Sequence, residues 1–424
     1  MIMRKLREPW QSKGKETSIG YRFSLTLGLL PKMEGFEAKY YRRNHMLLSS
    51  IGLWPYDNST IRQIQVILSL LIFGLYLTIQ FMRLLIPEFN LDFFLEALAL
   101  IFYILVWFVK YVTVFLVKEN IKQLRKCVKS NWNILSDNRE IDIMHKYADM
   151  GRQSTIALII LVYAGYVGFI LIQFSPDFLD AVMPLNESRS RLLLYQAKYS
   201  IIQEKYFYIV MIHETIALFL CSSAGIAAET FSLINALHAF GMFRVTCYRV
   251  ERMLSLDVSQ IPASESYIVF HNKLMAAVDT HRRALEFSDL LKNSFGISYL
   301  LMILTSLVSA AVSLFRLYRI ITMQQEKIET IKLIQFVLSA FLLLIIGNFV
   351  GQEFTNSDEL VHRAICNTEW YNAPLKIQKF ILFLLRKTTK SYKVDAGGLF
   401  SPSLEGLTTT MSLLLSFLTI MCSI

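Results

Sequence analysis

The sequence predicts an all-α membrane protein with seven transmembrane helices, a cytoplasmic N-terminus and an extracellular C-terminus. Three observations support this fold class. The chain of 424 residues is 54% hydrophobic and only 18% charged, whereas a soluble domain carries about 25% charged residues. Its apolar residues form seven runs of about 20 residues, the length a helix needs to cross a hydrocarbon core of about 30 Å. Its basic residues are sorted to one side of those runs.

The seven apolar runs divide the chain into four segments. The runs cover residues 64–86, 93–117, 155–174, 206–228, 295–315, 331–350 and 404–424. Irregular backbone cannot face lipid because its polar groups would lack partners, so each run should be a helix. The segments are 1–63, a six-helix bundle at 64–350, a connection at 351–403 and the last helix at 404–424.

The distribution of Lys and Arg sets the expected orientation. The N-terminal segment and the loops after the second, fourth and sixth runs hold 33 of the 43 basic residues. The other side holds 9, counting Arg83 and Lys332 at the outer ends of runs, and Lys110 lies inside a run. Cytoplasmic loops collect Lys and Arg, so the N-terminus should be cytoplasmic. The bias also explains the net charge of +10, so no nucleic-acid partner is expected. G-protein-coupled receptors have the reverse orientation.

Cysteines and glycosylation sequons offer further tests of this topology. Three of the five cysteines lie in predicted cytoplasmic loops, and Cys221 and Cys422 lie in runs, so no extracellular disulfide is expected. Asn186 begins a sequon in the outer loop between the third and fourth runs, and it is the predicted glycosylation site. Asn58 begins a second sequon on the cytoplasmic side and should stay unmodified.

No catalytic signature appears in the sequence. There is no HExxH motif, no phosphate-binding loop and no metal-ligand spacing, so neither an enzyme nor a cofactor or metal is expected. His213 and Glu214 form an adjacent titratable pair inside a run. They are either polar contacts at a ligand cavity or an interhelical hydrogen bond, and polar contacts between helices are common in membranes.

The last run carries a stripe of hydroxyl side chains. Its members recur at spacings of three and four residues, which places them on one helix face; they are Thr409, Ser412, Ser416, Thr419 and Ser423. Such a face suits a water-filled pore built from several copies, and it equally suits tight helix packing. Ile420 and Ile424 border the end of the stripe, where apolar rings gate some pores by excluding water.

Two shorter apolar segments need a partner. Residues 377–385 form an amphipathic pattern of two to three turns, whose apolar face must meet a neighbouring subunit or the membrane surface. Residues 46–56 include Trp54 and are too short to span. They either lie at the inner membrane surface, where Trp and Tyr are enriched, or form a cytoplasmic loop with some buried residues.

Several motifs, in order along most of the chain, resemble those of the insect odorant receptor family. The motifs are Gly52-Leu53-Trp54-Pro55, Glu229-Thr230-Phe231-Ser232, the group His281, Leu285, Glu286 and Phe287, the pair Trp370-Tyr371, Ala396-Gly397-Gly398, and Ser416-Phe417-Leu418-Thr419-Ile420. The resemblance implies an odorant-gated, non-selective cation channel subunit in the plasma membrane of olfactory sensory neurons. It also implies a heterotetramer with a shared co-receptor and a small volatile organic ligand. Gustatory receptors share the architecture, and a G-protein-coupled receptor or a transporter is a more distant alternative.

The resemblance also assigns roles to the segments. Segment 1–63 would be cytoplasmic, 64–350 would hold the ligand pocket, 351–403 would be a cytoplasmic anchor and 404–424 would line the pore. The family's pocket lies in the outer half of the bundle, and aromatic residues crowd that part of the second, third and fourth runs. The pocket candidates are Tyr103, Trp107, Tyr163, Tyr166, Phe207 and Met211, and the pore and gate candidates are Ser416, Thr419, Ile420, Ser423 and Ile424. For any single aromatic residue, ordinary helix packing is the alternative.

Overall fold

A computed structural model describes residues 39–85, 91–183, 200–254, 263–322 and 327–423. Within these ranges the chain forms ten named α-helices and one short 3-10 helix. The α-helices are α1 (Arg42–Ser50), α2 (Thr60–Leu84), α3 (Leu91–Leu116), α4 (Lys118–Asn133), α5 (Asn138–Val182), α6 (Ser200–Leu254), α7 (Ala263–Thr322), α8 (Lys327–Cys366), α9 (Leu375–Thr388) and α10 (Leu404–Ser423), with the 3-10 helix at Trp370–Asn372. The candidates Asn186 and Ile424 lie outside the described residues.

In the described part of the chain, seven helices are long and apolar enough to cross a membrane, namely α2, α3, α5, α6, α7, α8 and α10. They coincide with the seven predicted runs, so the predicted all-α fold of seven spans is confirmed. Several runs are only the apolar parts of longer helices. The 60 residues of α7 extend about 90 Å at a rise of about 1.5 Å per residue, far beyond one hydrocarbon core. The long helices therefore continue beyond the membrane as helical extensions of their apolar spans.

The long helices give the bundle two unlike ends. At one end α3, α6 and α8 finish and α5 and α7 begin, close to α4 and α9; we call this the anchor end. The other is the distal end. Positive-inside asymmetry predicts that the anchor end is cytoplasmic. The boundary expected at residues 350 and 351 falls inside α8, which continues without a break to Cys366.

An arginine with a largely buried side chain holds three helices together at the anchor end. The Arg249 guanidinium on α6 donates to both carboxylate oxygens of Glu140 on α5, at 2.8 and 2.7 Å. It also donates to Thr280 Oγ1 on α7 at 2.6 Å and to the Ile134 carbonyl at 3.1 Å. Bidentate pairs of this kind fix orientation as well as contributing energy. The anchor end is thus tied by directional contacts in addition to apolar packing.

Segment 46–56 packs against the helices of the anchor end. Trp54 is buried, and the Arg125 guanidinium of α4 lies 4.5 Å from the centre of its ring. The Tyr111 hydroxyl of α3 donates to the Ile51 carbonyl at 3.2 Å. Just before the segment, Asn44 Nδ2 of α1 donates to Thr230 Oγ1 of α6 at 2.9 Å. These contacts favour the interpretation of a loop with buried residues.

A sharp turn directs the chain into the last span. Gly397 and Gly398 have φ values of 62° and 72°, in the left-handed region that glycine adopts without steric cost. On either side of these glycines the backbones of Ala396 and Phe400 pair, with Ala396 N donating to Phe400 O at 2.6 Å. The preceding helix α9 is amphipathic as predicted over 377–385. It buries Ile377 and exposes Phe383 on the other face.

Candidate functional site

A cavity of about 560 Å³ lies between α3, α5, α6 and α8. Its wall is mainly apolar, with a few polar side chains contributed by Ser222, Glu229, Gln335 and Ser339. Small-molecule sites are typically concave, largely apolar and roughly 300–1,000 Å³ in volume. We call this space the main cavity.

Three of the six predicted pocket residues lie on the wall of the main cavity: Tyr103, Trp107 and Tyr166. The Tyr103 ring lies 5.9 Å from Trp107 and 4.7 Å from Phe336 of α8, measured between ring centres. The Tyr166 hydroxyl donates to the Thr215 carbonyl of α6 at 3.2 Å. Packing and hydrogen bonding therefore hold these aromatic rings in defined orientations.

The other three candidates lie away from that wall. Tyr163 connects α5 to α6, since its hydroxyl lies 3.0 Å from Ser223 Oγ. Phe207 and Met211 form a separate buried apolar cluster with Val210, nearer the distal end of α6. Aromatic content selected them, but content does not reveal which face of a helix borders a space.

Helix α8 contributes wall residues that the sequence patterns did not predict. Its wall residues lie three and four positions apart and thus share one helix face; they include Ile331, Gln335, Ser339, Leu342 and Ile346. This face is apolar with two interspersed polar groups. The three-and-four spacing of these side chains is present in the sequence. Aromatic content did not select this helix, because Phe336 is the one aromatic residue that α8 contributes to the cavity wall.

Gly225 of α6 makes room for the Trp107 ring. A Cβ atom at position 225 would lie 2.1 Å from Trp107 Cζ3 and 2.3 Å from Cε3. Such distances are far below normal contact between carbon atoms. A glycine is therefore required for the indole to pack this closely against α6 while also lining the main cavity.

A charged pair lies at the anchor-side end of the main cavity. The Lys110 ammonium of α3 is paired with the Glu229 carboxylate of α6, and both side chains are largely buried. Glu229 also lines a second, smaller cavity of about 120 Å³, whose wall includes Lys110, Tyr299 and Pro402. One carboxylate thus borders both spaces, and the second space reaches the residues that precede α10.

The start of α10 is held by side chains of α8. The backbone N–H of Ser403 donates to Asn348 Oδ1 at 3.2 Å, and that of Leu404 donates to Gln352 Oε1 at 3.3 Å. The first backbone N–H groups of a helix have no partner within the helix. Here the side-chain oxygens of Asn348 and Gln352 accept hydrogen bonds from two such N–H groups. Gly351 lies between them, and a Cβ there would be 2.3 Å from the Pro402 carbonyl oxygen.

The hydroxyl stripe of α10 faces away from the rest of the chain. Each of its five hydroxyls is exposed and donates to a carbonyl three or four residues earlier in α10; the donors are Thr409, Ser412, Ser416, Thr419 and Ser423. Ile420 is exposed too, whereas Thr410 and Leu414 pack inward. The polar face is internally satisfied, so it can border either water or another helix.

Comparison with known proteins decides the family. The sequence profile described as 7tm odorant receptor matches residues 90–415, which is most of the chain. The chain belongs to the 7tm odorant receptor family. This receptor is accordingly a multi-pass plasma-membrane protein.

Curated relatives and solved structures agree with this assignment. The receptor is 20% identical over 202 residues to odorant receptor 63a of Drosophila melanogaster, across 48% of this chain and 46% of the relative. It is 24% identical over 196 residues to odorant receptor 22c of the same species, across 46% and 48%. The chain spans about half the length of the curated relatives it matches.

The fold is similar to that of the insect olfactory receptor OR5 from Machilis hrabei. The structure of OR5 in complex with eugenol aligns with a TM-score of 0.74 and 13% identity, covering 92% of this chain and 98% of OR5. A second OR5 structure aligns with a TM-score of 0.72 and 14% identity, over 91% and 98%.

The titratable pair inside the receptor's fourth span has a structural environment. Gln173 Nε2 of α5 donates to Glu214 Oε2 at 3.2 Å, and the His213 ring stacks on Tyr76 of α2 with ring centres 6.1 Å apart. Neither residue lines the main cavity. The contacts are those of the interhelical hydrogen-bond alternative.

Among the described residues, no group of three or more His, Cys, Asp or Glu is placed to hold a metal, and all five cysteines are free.

Proposed function

We propose that this receptor is a subunit of a ligand-gated, non-selective cation channel, and that a small volatile organic molecule opens it from the main cavity. One observation carries the proposal: the helix that forms one wall of the main cavity also holds the start of the striped last helix. Wall residues Gln335 to Ile346 of α8 are followed directly by Asn348 and Gln352, which bond the first amides of α10.

Occupancy of the cavity would act by favouring one arrangement of α8. A ligand shifts an equilibrium only as far as it binds one state better than the other. A molecule packed against Tyr103, Trp107 and Tyr166 presses on α8 from the opposite wall. A displacement of α8 would then move the start of α10, because the hydrogen bonds from Ser403 and Leu404 to Asn348 and Gln352 connect the two helices. The eugenol complex of OR5 supports a small organic ligand here as well.

The last helix would line a pore shared by four subunits. Its polar stripe faces outward from the subunit, with Ile420 beside it, and a ring of such apolar side chains can close a pore by excluding water. Ser416, Thr419, Ser423 and Ile424 complete the proposed pore face. The exposed apolar face of α9, which includes Leu375 and Phe383, supports contacts between subunits at the anchor end.

We further propose that the partner subunits include a shared co-receptor, that the anchor end is cytoplasmic, and that the receptor acts in olfactory neurons. The charge asymmetry of the loops supports this orientation. Asn186 would then lie outside the cell and be available for glycosylation.

Current recording in a heterologous cell tests the proposal. The receptor is expressed with and without an insect co-receptor, and a panel of volatile alcohols, esters and phenols that includes eugenol is applied. We expect ligand-evoked cation currents that persist when G-protein signalling is blocked. Silence under both conditions, or currents that disappear with the G-protein block, would contradict channel function.

A further inference from the structure

The main cavity reaches the outer surface of the bundle between α5 and α8. Leu161 of α5 and Ile331, Ile334 and Leu338 of α8 all line the cavity, yet they are 53%, 53%, 42% and 62% exposed. Side chains that border an internal space and also cover the outside of the bundle form the rim of an opening. Both helices are membrane spans, so this opening faces lipid.

A hydrogen bond crosses the opening. Gln335 Nε2 of α8 donates to the Gly165 carbonyl of α5 at 3.0 Å. Gly165 has no side chain to fill the gap, and a Cβ there would lie 3.1 Å from the same nitrogen. The two helices are therefore bridged at this point by a flexible polar side chain, while the residues around it are apolar.

The described route toward the distal end is narrow and charged. Beyond the paired rings of Tyr103 and Phe336 lies a space of only about 10 Å³, which is about enough for one water molecule. Its lining includes Glu96 and Arg316, whose side chains lie 3.6 Å apart, and Arg83 lies 3.4 Å from the same carboxylate. An apolar molecule would have to disrupt this ion-paired cluster to enter there.

We infer that apolar ligands enter and leave the main cavity from the lipid bilayer, through the α5–α8 opening bridged by Gln335 and Gly165. Molecules of this class gather in the membrane before they bind, because each buried CH₂ raises partitioning about fourfold. Entry through lipid thus starts from a concentrated pool and avoids the charged distal cluster. The inference rests on the proposed function, which places the ligand in the main cavity and supplies the ligand-evoked current used as the readout.

The entrance is tested by narrowing its rim and measuring kinetics. Leu338→Trp and Leu161→Trp place bulk at the opening. A narrower path slows entry and exit by the same factor, since both pass the same barrier. We therefore expect slower onset and slower washout of current, each several-fold.

Matched controls lie on the same two helices. Ile160→Trp and Ile345→Trp add the same bulk at positions that are 63% and 47% exposed but do not line the cavity. Both should keep wild-type kinetics. Surface labelling confirms equal delivery of all four variants, and the same panel of alcohols, esters and phenols serves as ligand.

The outcomes separate the two proposals. If wild type gives no current to any panel molecule with or without co-receptor, the channel function fails. If wild type responds but the rim variants keep the kinetics of the controls, the lipid entrance is overturned. A raised half-maximal concentration with faster washout also overturns it, because that result marks a wall contact rather than a path.

Discussion

The Glu229 carboxylate of α6 and the Lys110 ammonium of α3 form an ion pair between the main cavity and the smaller cavity beneath α10. Charged side chains within a membrane are costly unless they face a partner or a water-filled space. Here each charge has the other as its partner, and both border a cavity. The pair therefore fixes α3 against α6 where the main cavity meets the smaller cavity near the start of α10.

Breaking this pair from one side should destabilise the receptor strongly. Lys110→Met leaves the Glu229 carboxylate buried and unpaired, which typically costs about 3–5 kcal/mol. The double variant Lys110→Met with Glu229→Leu removes both charges and should recover most of that loss. The thermal midpoint of the purified receptor and its abundance at the cell surface measure the effect.

An exposed pair provides the control for that experiment. Arg282 and Glu286 of α7 lie 3.8 Å apart and both are exposed, and such pairs contribute about 0–1 kcal/mol. Arg282→Met should leave the thermal midpoint nearly unchanged. A double variant as unstable as Lys110→Met would show that the buried residues do not act as a pair.

The positions of the seven spans could be predicted from the sequence, but only some of the residues that line the main cavity could be. Apolar runs are local signals, so all seven spans followed from hydropathy. Lys110 was visible as a basic residue inside a run, but its partner Glu229 lies on another helix. Only helix packing brings them together, and a single sequence carries no direct record of that packing.

The candidate site illustrates the same limit. Tyr103 and Trp107 are four residues apart and share a face, and that face borders the main cavity. Phe207 was chosen on the same aromatic criterion, yet it lies in a separate cluster. Whether an aromatic residue such as Tyr103 or Phe207 borders the main cavity depends on where α8 packs, because α8 supplies the opposite wall.

Gly225→Ala should reduce sensitivity to bulky ligands. The added methyl group would lie 2.1 Å from the Trp107 ring, so the ring must shift and change the shape of the main cavity. We expect the half-maximal concentration to rise several-fold for the largest panel molecules and little for the smallest. Dose–response curves across ligand sizes measure this.

Gly168→Ala is the matched control for Gly225→Ala. It makes the same substitution in α5, where an added Cβ would meet nothing within 4 Å. If both variants shift the curves equally, contact with Trp107 does not determine ligand size.

Asn348→Leu should weaken the link between the ligand wall and the last helix. The substitution keeps the side-chain size but removes the acceptor of the Ser403 N–H, and losing a helix N-terminal cap typically costs about 1 kcal/mol. We expect a several-fold lower current per surface subunit at saturating ligand. Asn372→Leu is the control, since it removes a side-chain amide that donates to Glu369 at 3.0 Å beside the 3-10 helix; it should keep a larger current, and equal losses would argue against the link.

Acidification should destabilise the anchor end through His45. Burial, with the Arg125 charge nearby, lowers the pKa of His45 to about 4; its ring packs edge-on against Trp54 with ring centres 4.1 Å apart. The unfolded chain takes up a proton near pH 6.5 while the folded chain does not until about pH 4. Stability therefore falls as pH drops through that window.

His45→Phe should remove this dependence. The phenyl ring can keep the packing on Trp54 and cannot bind a proton, so the thermal midpoint should change less between about pH 7 and about pH 5 than in wild type. His271→Phe, a half-buried position near Phe380, controls for the loss of a histidine elsewhere. A pH slope in His45→Phe equal to that of wild type would exclude this histidine as the source.

Ile420→Ser should raise the current that flows without ligand. Ile420 is exposed beside the hydroxyl stripe of α10, and in the proposed pore it would contribute to an apolar constriction that excludes water. A serine hydroxyl wets that constriction, so the closed state should leak. Leu418→Ser is the control, because Leu418 is half-buried and lies about 160° around the helix from Ile420, away from the hydroxyl stripe, at about 100° per residue. Equal basal currents in both variants and wild type would remove Ile420 from the gate. Equal increases in both would indicate that any serine on α10 loosens the assembly, which would place the constriction elsewhere along the helix.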